Sequence, residues 1–226
     1  MKTTFSDSTG FSGKVSMKKI LLICGILSSM LYATMITAIR FEGYSFTSQS
    51  VSELSAIGAP TRPLWIPLGI TYQVFMIAFG LGVWASAGHK RTLRVVACLI
   101  LLNYGVASFL WLFASMHQRE VLAEGGKTLA ETLHIVLVVV TVLCNLLTIG
   151  FGAIAFGRRF RIYSIVTILI LLIFGALAGP SATRIEANLP TPWFGVGERI
   201  VIFGFLLWVV VLSIILLRQG KEQNSH

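Results

Sequence analysis

Half of the chain's histidines lie in one short polar stretch, SMHQREVLAEGGKTLAETLH (residues 115–134). His117 and His134 lie near its two ends, and Glu131 precedes the second histidine by three residues. Residues three apart on a helix share a face, and a Glu-x-x-His helix can supply two metal ligands. Ligands from separate helices could also leave one position open for water, as in catalytic zinc sites. The alternative is a set of solvated residues at helix ends. Both interpretations stay open, and the metal hypothesis is a divalent ion such as zinc at His117, His134 and Glu131.

Two further segments bring polar residues to predicted helix starts. YSFTSQSVSELSAIGAPTRP (residues 44–63) gathers serines around Glu53, and its SVSEL matches a helical capping box. NLPTPWFGVGERI (residues 188–200) leads into the last apolar run through Glu198 and Arg199. The simplest interpretation is one short helix in the membrane surface at the first segment and an ion pair of Glu198 with Arg199 at the second.

The alternative is that these residues form one chemical site. The candidate catalytic residues, which would bind metal or move protons, are Glu53, His117, His134 and Glu198. The candidate ligand-binding residues are Ser52, Arg119 and Arg199. Burying an unpaired charge costs several kcal/mol, so inward-folded loops favour mutual pairing. We predict that Glu53, both histidines and the Glu198–Arg199 pair converge on one polar pocket.

The elements that must position these residues are apolar helices. Hydrophobic residues make up 55% of the 226 residues and charged residues 12%, about half of the roughly 25% charge of a soluble domain. Six runs of 18 to 27 residues lack Asp, Glu, Lys and Arg, and roughly 20 apolar residues cross a membrane as a helix. Barrel strands alternate and are only ~10 residues long. We predict an all-α, polytopic, six-transmembrane-helix up-down bundle, with helices at about 20–39, 64–87, 95–116, 132–156, 162–179 and 197–217.

Charge asymmetry predicts the orientation of this bundle. Twelve Lys and Arg residues and two acids lie on one set of segments, whereas six basic residues and seven acids lie on the other. Because Lys and Arg accumulate on cytoplasmic loops, we predict that both termini are cytoplasmic, in the bacterial inner membrane, and that the candidate site faces the periplasm. The excess of positive charge is a topology signal, and we predict no nucleic-acid partner, because no basic run is interleaved with exposed aromatics.

The predicted domain organisation is simple. Residues 1–17 are rich in Ser, Thr and Gly and are predicted to form a disordered cytoplasmic tail. Residues 18–218 form a single transmembrane domain in the lipid bilayer, and residues 219–226 form a second cytoplasmic tail. Asn103 and Asn145 lie inside predicted spans, where buried amides commonly join helices to each other.

Three motifs carry a resemblance to a known family. They are SxSEL…GAPTRP between Ser50 and Pro63, MHQR at His117, and LPTPWFGVGERI before the last span. In these motifs the chain resembles a bacterial membrane family known only as domain of unknown function 998. The resemblance covers most of the chain and implies a six-helix bundle, but it implies no particular activity.

Three functions therefore compete. The first is an enzyme at the outer mouth of the bundle, a metal-assisted hydrolase of a lipid or envelope amphiphile that uses the candidate catalytic residues. The second is a carrier or sensor of a small ligand. The third is a structural or accessory membrane subunit whose polar residues only fasten the loops.

Overall fold

The computed structural model describes residues 17–126, 128–187 and 189–222. The predicted N-terminal tail lies outside the described residues except for Met17, and so do residues 223–226 of the predicted C-terminal tail. In the described part of the chain the regular structure is helical. An isolated parallel β-bridge joins Ile57 and His117. The all-α prediction is confirmed.

Nine α-helices follow one another along these residues. They are α1 (Met17–Ala38), α2 (Arg62–Ser86), α3 (Arg91–Leu101), α4 (Ser108–Leu110), α5 (Arg119–Ala123), α6 (Leu129–Ala155), α7 (Arg158–Ala178), α8 (Ser181–Glu186) and α9 (Phe194–Glu222). A 3₁₀ helix at Ser52–Ser55 precedes α2, and a π-helical turn at Leu102–Ala107 joins α3 to α4. Six helical stretches are long and apolar enough to cross a membrane, which confirms the predicted number of spans.

The six long helices form a closed ring. Helix α1 packs on α2, α2 on α3, α3 on α6, α6 on α7, α7 on α9, and α9 returns to α1. Small residues permit these contacts: a side chain at Gly25 would collide with Phe79 and Ser213, and one at Gly152 with the ring of Trp208. Close approach at small residues is the usual way in which membrane helices pack. The result is the predicted up-down bundle.

Loops cover one end of this ring. Residues 39–61, 114–126 and 189–194 form what we call the outer loop layer, named after the predicted topology. Val51 and Leu54 are buried in it against Met35 and Trp65. The backbone of this layer lies directly on α9, because the carbonyls of residues 46 and 49 occupy the place where Gly195 would carry a Cβ. The candidate residues all lie in this layer or at the helix ends beneath it.

Candidate functional site

Glu53 and Arg119 form an ion pair in the outer loop layer, between a buried carboxylate and a half-buried guanidinium. Glu53 is 2% exposed, and Arg119 binds it with two parallel bonds, Nη2 to Oε1 at 2.8 Å and Nε to Oε2 at 2.9 Å. Gln49 Nε2 donates to Oε2 at 2.7 Å, and the amide of Ser50 donates to Oε1 at 2.9 Å. The hydrogen bonds to Glu53 raise the pKa of Arg119. This carboxylate is fully engaged.

The same ion pair joins three loops. Arg119 Nη2 also donates to the Ser48 carbonyl at 3.2 Å, and Thr191 Oγ1 donates to that carbonyl at 2.8 Å. The predicted capping box is present, because Ser50 and Glu53 exchange hydrogen bonds between backbone and side chain. It stabilises a buried 3₁₀ turn, Ser52–Ser55, instead of a surface helix. Arg119 therefore holds the segments of the loop layer together.

Arg199 does not pair with Glu198. It is 2% exposed and donates to the carbonyls of residues 36, 46, 49 and 195 and to Tyr44 Oη, the last at 2.6 Å. Its guanidinium also stacks on Phe46, with Cζ 3.9 Å from the ring centroid. Burial raises the pKa of the Tyr44 hydroxyl. Consecutive helical residues point about 100° apart, so Glu198 faces a different part of the molecule. Within the described residues the ion pairs are Glu53–Arg119 and His117–Glu131.

Glu131 caps helix α6 and holds the loop before it. Its Oε2 accepts from the amide of Thr128 at 2.7 Å and from the Thr128 hydroxyl. The Thr128 side chain in turn accepts from the first-turn backbone of α6, and this reciprocal exchange is a capping box. Its Oε1 accepts from the His117 amide at 2.9 Å and contacts His117 Nδ1. Glu131 is 4% exposed. Both of its oxygens are used in joining residues on either side of α5.

His134 has a separate partner. Its Nδ1 lies 2.9 Å from the Ala114 carbonyl, which can only accept, so Nδ1 carries the proton and Nε2 is left as the second ring nitrogen. Its ring lies edge-on to Trp111, with centroids 4.9 Å apart. In the part of the chain that the structure describes, no group of three or more His, Cys, Asp or Glu residues could hold a metal ion. The predicted ligand set of His117, His134 and Glu131 is therefore not assembled.

A cavity of about 390 Å³ opens inside the ring beneath the loop layer. Two of the candidate catalytic residues, Glu198 and His134, line it, as does the candidate ligand-binding residue Ser52. Its aromatic walls are Tyr32, Trp65, Tyr72, Tyr104, Trp111 and Phe205. Its other polar groups include Arg62, Gln73, Asn103, Thr141 and Asn145. The predicted single pocket is thus divided, with Glu53 in the loop layer and Glu198 at the cavity.

The π-helical turn shapes one wall of this cavity. It presents Asn103 and Tyr104, both buried, and such turns within helices are frequent at functional sites. Asn103 Nδ2 donates to Asn145 Oδ1 at 3.3 Å, which joins the turn to α6. The hydroxyl of Tyr72 donates to that of Tyr104 at 3.3 Å. These contacts connect α2, the turn and α6 around the cavity.

Glu198 has one hydrogen bond among the described residues. The amide of Val51 donates to its Oε2 at 2.6 Å. A carboxylate can accept about four hydrogen bonds, so most of its capacity is directed at the cavity that it lines. Glu53 and Glu131, by contrast, use both of their carboxylate oxygens in contacts with the protein.

The sequence model of a family described as "Protein of unknown function (DUF998)" matches residues 22–215. The chain belongs to the DUF998 family. The match spans the six helices of this DUF998 protein and includes all of its candidate residues. No curated protein and no solved structure matches the chain.

The cavity of this DUF998 protein contains residues that the sequence analysis did not select. Tyr72, Tyr104, Gln73 and Trp111 line it, and none belongs to a polar cluster in the sequence. The sequence does indicate part of this cavity, through polar side chains that lie inside spans without charged residues. Asn103 and Asn145 are two such side chains, and they do contact each other, as expected of buried amides.

Proposed function

We propose that this DUF998 protein binds a small amphiphilic molecule in the cavity beneath its outer loop layer, as a carrier or a sensor. The observation that carries the proposal is the cavity itself, about 390 Å³ of space between the helices of the ring that is partly open at exposed residues such as Ile70 and Leu112. Ligand sites commonly occupy about 300–1,000 Å³, are lined mainly by apolar and aromatic side chains, and have a few polar groups that orient the ligand. The cavity has this size and this composition.

The position of the cavity selects the class of ligand. Its walls come from helices that are long and apolar enough to cross a membrane, so most of it lies at the depth of lipid chains. Its charged and imidazole side chains, Arg62, His134 and Glu198, come from the ends of α2, α6 and α9 beside the loop layer. A ligand with an apolar body and one polar head would satisfy both parts.

The two other functions have unequal support. The structural function accounts well for the loop layer, where Glu53, Arg119, Arg199 and Glu131 are all used in fastening. It leaves the cavity unexplained. The metal-assisted hydrolase needs a ligand cluster, and the described residues bring no three candidate ligands together. Binding is therefore the function that this geometry supports best.

Filling the cavity provides the test. Gly69 lines the cavity, and a Cβ placed there meets no atom within 4 Å, so Gly69→Leu would occupy ligand space without a clash at its first atom. Gly150→Leu is the matched control, because Gly150 is equally uncrowded and does not line the cavity. Binding of octanol is measured by calorimetry on protein in lipid nanodiscs, with empty nanodiscs subtracted.

We expect saturable binding of about one octanol to the wild type and to Gly150→Leu, and none to Gly69→Leu. The added side chain also favours the helix by up to about 1 kcal/mol over glycine, so the loss of binding should not reflect unfolding. Equal binding by Gly69→Leu and the wild type, or no binding beyond empty nanodiscs for any of them, would contradict the proposal.

A further inference from the structure

The carboxylate of Glu198 lies in the wall of the cavity without a cationic partner among the described residues. Its Oε2 accepts the Val51 amide at 2.6 Å, and the ion pairs of the described chain are made by other residues. A buried carboxylate is costly unless a cation or several donors compensate it. The cavity is the region from which such a cation can come.

The neighbouring guanidinium groups are directed elsewhere. Arg199 uses its donors on backbone carbonyls and Tyr44, and Arg119 uses its donors on Glu53 and the loops. Arg62 lines the cavity, but Nη1 donates to the Ser55 carbonyl and Nη2 to Ser115 Oγ at 3.0 Å. These bonds direct the three guanidinium groups to carbonyls, hydroxyls and Glu53, and none of the three forms an ion pair with Glu198.

Aromatic rings form the wall of the same cavity. Tyr32 stacks on Tyr72 with centroids 4.4 Å apart and meets Trp65 edge-on at 6.2 Å, so the three rings form a continuous surface. The faces of aromatic rings attract cations, most strongly where water is excluded. A carboxylate and an aromatic wall are the two groups that most often recognise an organic ammonium.

We infer that the cavity selects an amphiphile with a cationic ammonium head, and that Glu198 is the residue that recognises it. The ammonium group would complete the pairing of the carboxylate and lie against the rings of Tyr32, Trp65 and Tyr72, while the apolar body extends along the rest of the cavity. This inference rests on the proposed function, because it names the class of ligand for the same cavity. It assigns Glu198 to binding and makes no claim of catalysis.

The test compares three probes of one chain length: octylamine, octanol and octanoate. Each is titrated into protein in nanodiscs of zwitterionic lipid, with empty nanodiscs subtracted. We expect the wild type to bind octylamine at least tenfold more tightly than octanol and octanoate. Glu198→Gln keeps an oxygen to accept the Val51 amide but removes the charge, so it should bind octylamine and octanol alike, with octanol binding unchanged.

Glu42→Gln is the matched control, because it removes one charge from an exposed residue at the same end of the bundle. It should keep the wild-type preference for octylamine. A wild type that prefers octanoate or shows no preference would overturn the inference, and so would a preference for octylamine that survives in Glu198→Gln. These results leave cavity binding intact, whereas failure of all three probes would overturn the proposed function itself.

Discussion

The outer loop layer and the cavity beneath it both contain charged and polar side chains, but these groups make many hydrogen bonds in the loop layer and few at the cavity. In the loop layer, Glu53 accepts from three side chains and a backbone amide. Arg199, at the start of α9, donates to five acceptors, three of which lie in the layer. At the cavity, Glu198 and His134 have one protein partner each among the described residues. Fully used groups stabilise a structure, whereas groups with spare capacity can bind a ligand.

The difference shows how charged residues in a membrane protein should be interpreted. The loop layer and the helix ends beneath it contain the candidate residues, and the contacts of Glu53, Arg119, Glu131 and Arg199 show that these four hold the loops together. The cavity draws its polar groups from helix ends and from inside the spans. If this division is correct, substitutions in the loop layer should reduce stability, and substitutions at the cavity should mainly change ligand binding.

The largest loss of stability should come from Arg119→Ala. It leaves the buried carboxylate of Glu53 without its cation, which costs about 3–5 kcal/mol in comparable pairs. The free energy of unfolding in detergent measures the effect, and exposed Arg40→Ala is the control, expected within about 0.5 kcal/mol of the wild type. The double variant Glu53→Gln with Arg119→Ala should recover part of the loss. Additive losses in the double variant would contradict the ion-pair explanation.

A smaller but still large loss should follow Arg199→Lys. A lysine keeps the charge but lacks the planar fork whose three nitrogens reach the carbonyl of residue 36, the loop carbonyls of residues 46 and 49, and Tyr44 Oη at once. Since a hydrogen bond to a charged group contributes about 1.5–3 kcal/mol, we expect a loss of about 3 kcal/mol, read from the same unfolding measurement. A lysine variant as stable as the wild type would show that charge alone is required there, and that the loop carbonyls do not depend on the guanidinium.

Glu131→Ala should have an intermediate effect. It removes the capping box of α6 and the acceptor of the His117 amide. Losing a cap costs about 0.5–2 kcal/mol, and we expect a value near the upper end because the His117 contact is lost as well. Protease accessibility of residues 115–126 should rise in parallel, because that loop is held by this carboxylate. Unchanged proteolysis would show that other contacts hold the loop.

The smallest change in stability should come from Glu198→Gln. Glu198 has no ion pair among the described residues, so replacing its charge by a neutral group of the same shape removes a desolvation cost and breaks no pair. We expect the ligand-free protein to change by less than about 1 kcal/mol, in contrast to Arg119→Ala. A loss as large as that of Arg119→Ala would show that Glu198, too, is needed for stability. The distinction between the loop layer and the cavity would then be wrong.

The sequence contained enough information for the fold. Charge-free runs such as residues 162–183 determine helices by length alone, and short basic links force neighbours to be antiparallel. The capping boxes at Glu53 and Glu131 are local patterns, so their reciprocal bonds could also be anticipated. The orientation of the bundle stays a prediction, which reporter tags near Arg159 and Glu124 would test.

Whether the candidate residues meet in one pocket could not be predicted in the same way. Residues at one depth still face different directions, and the 100° step between Glu198 and Arg199 sends one to the cavity and the other to the loop carbonyls. The cavity depends on the π-helical turn and on how Tyr32, Tyr72 and Tyr104 are directed across three helices. Those arrangements are set by long-range packing, which a charge pattern does not encode.

The most direct test of the division between the two regions is the melting temperature with and without saturating octylamine. A ligand at 100 times its Kd stabilises by about 2.7 kcal/mol, which corresponds to a rise of roughly 5–10 °C for a chain of this size. We predict that rise for the wild type and for Arg199→Lys, whose ligand-free melting temperature starts lower, and no rise for Gly69→Leu. An equal rise in Gly69→Leu, or its loss in Arg199→Lys alone, would place binding outside the cavity and contradict the account.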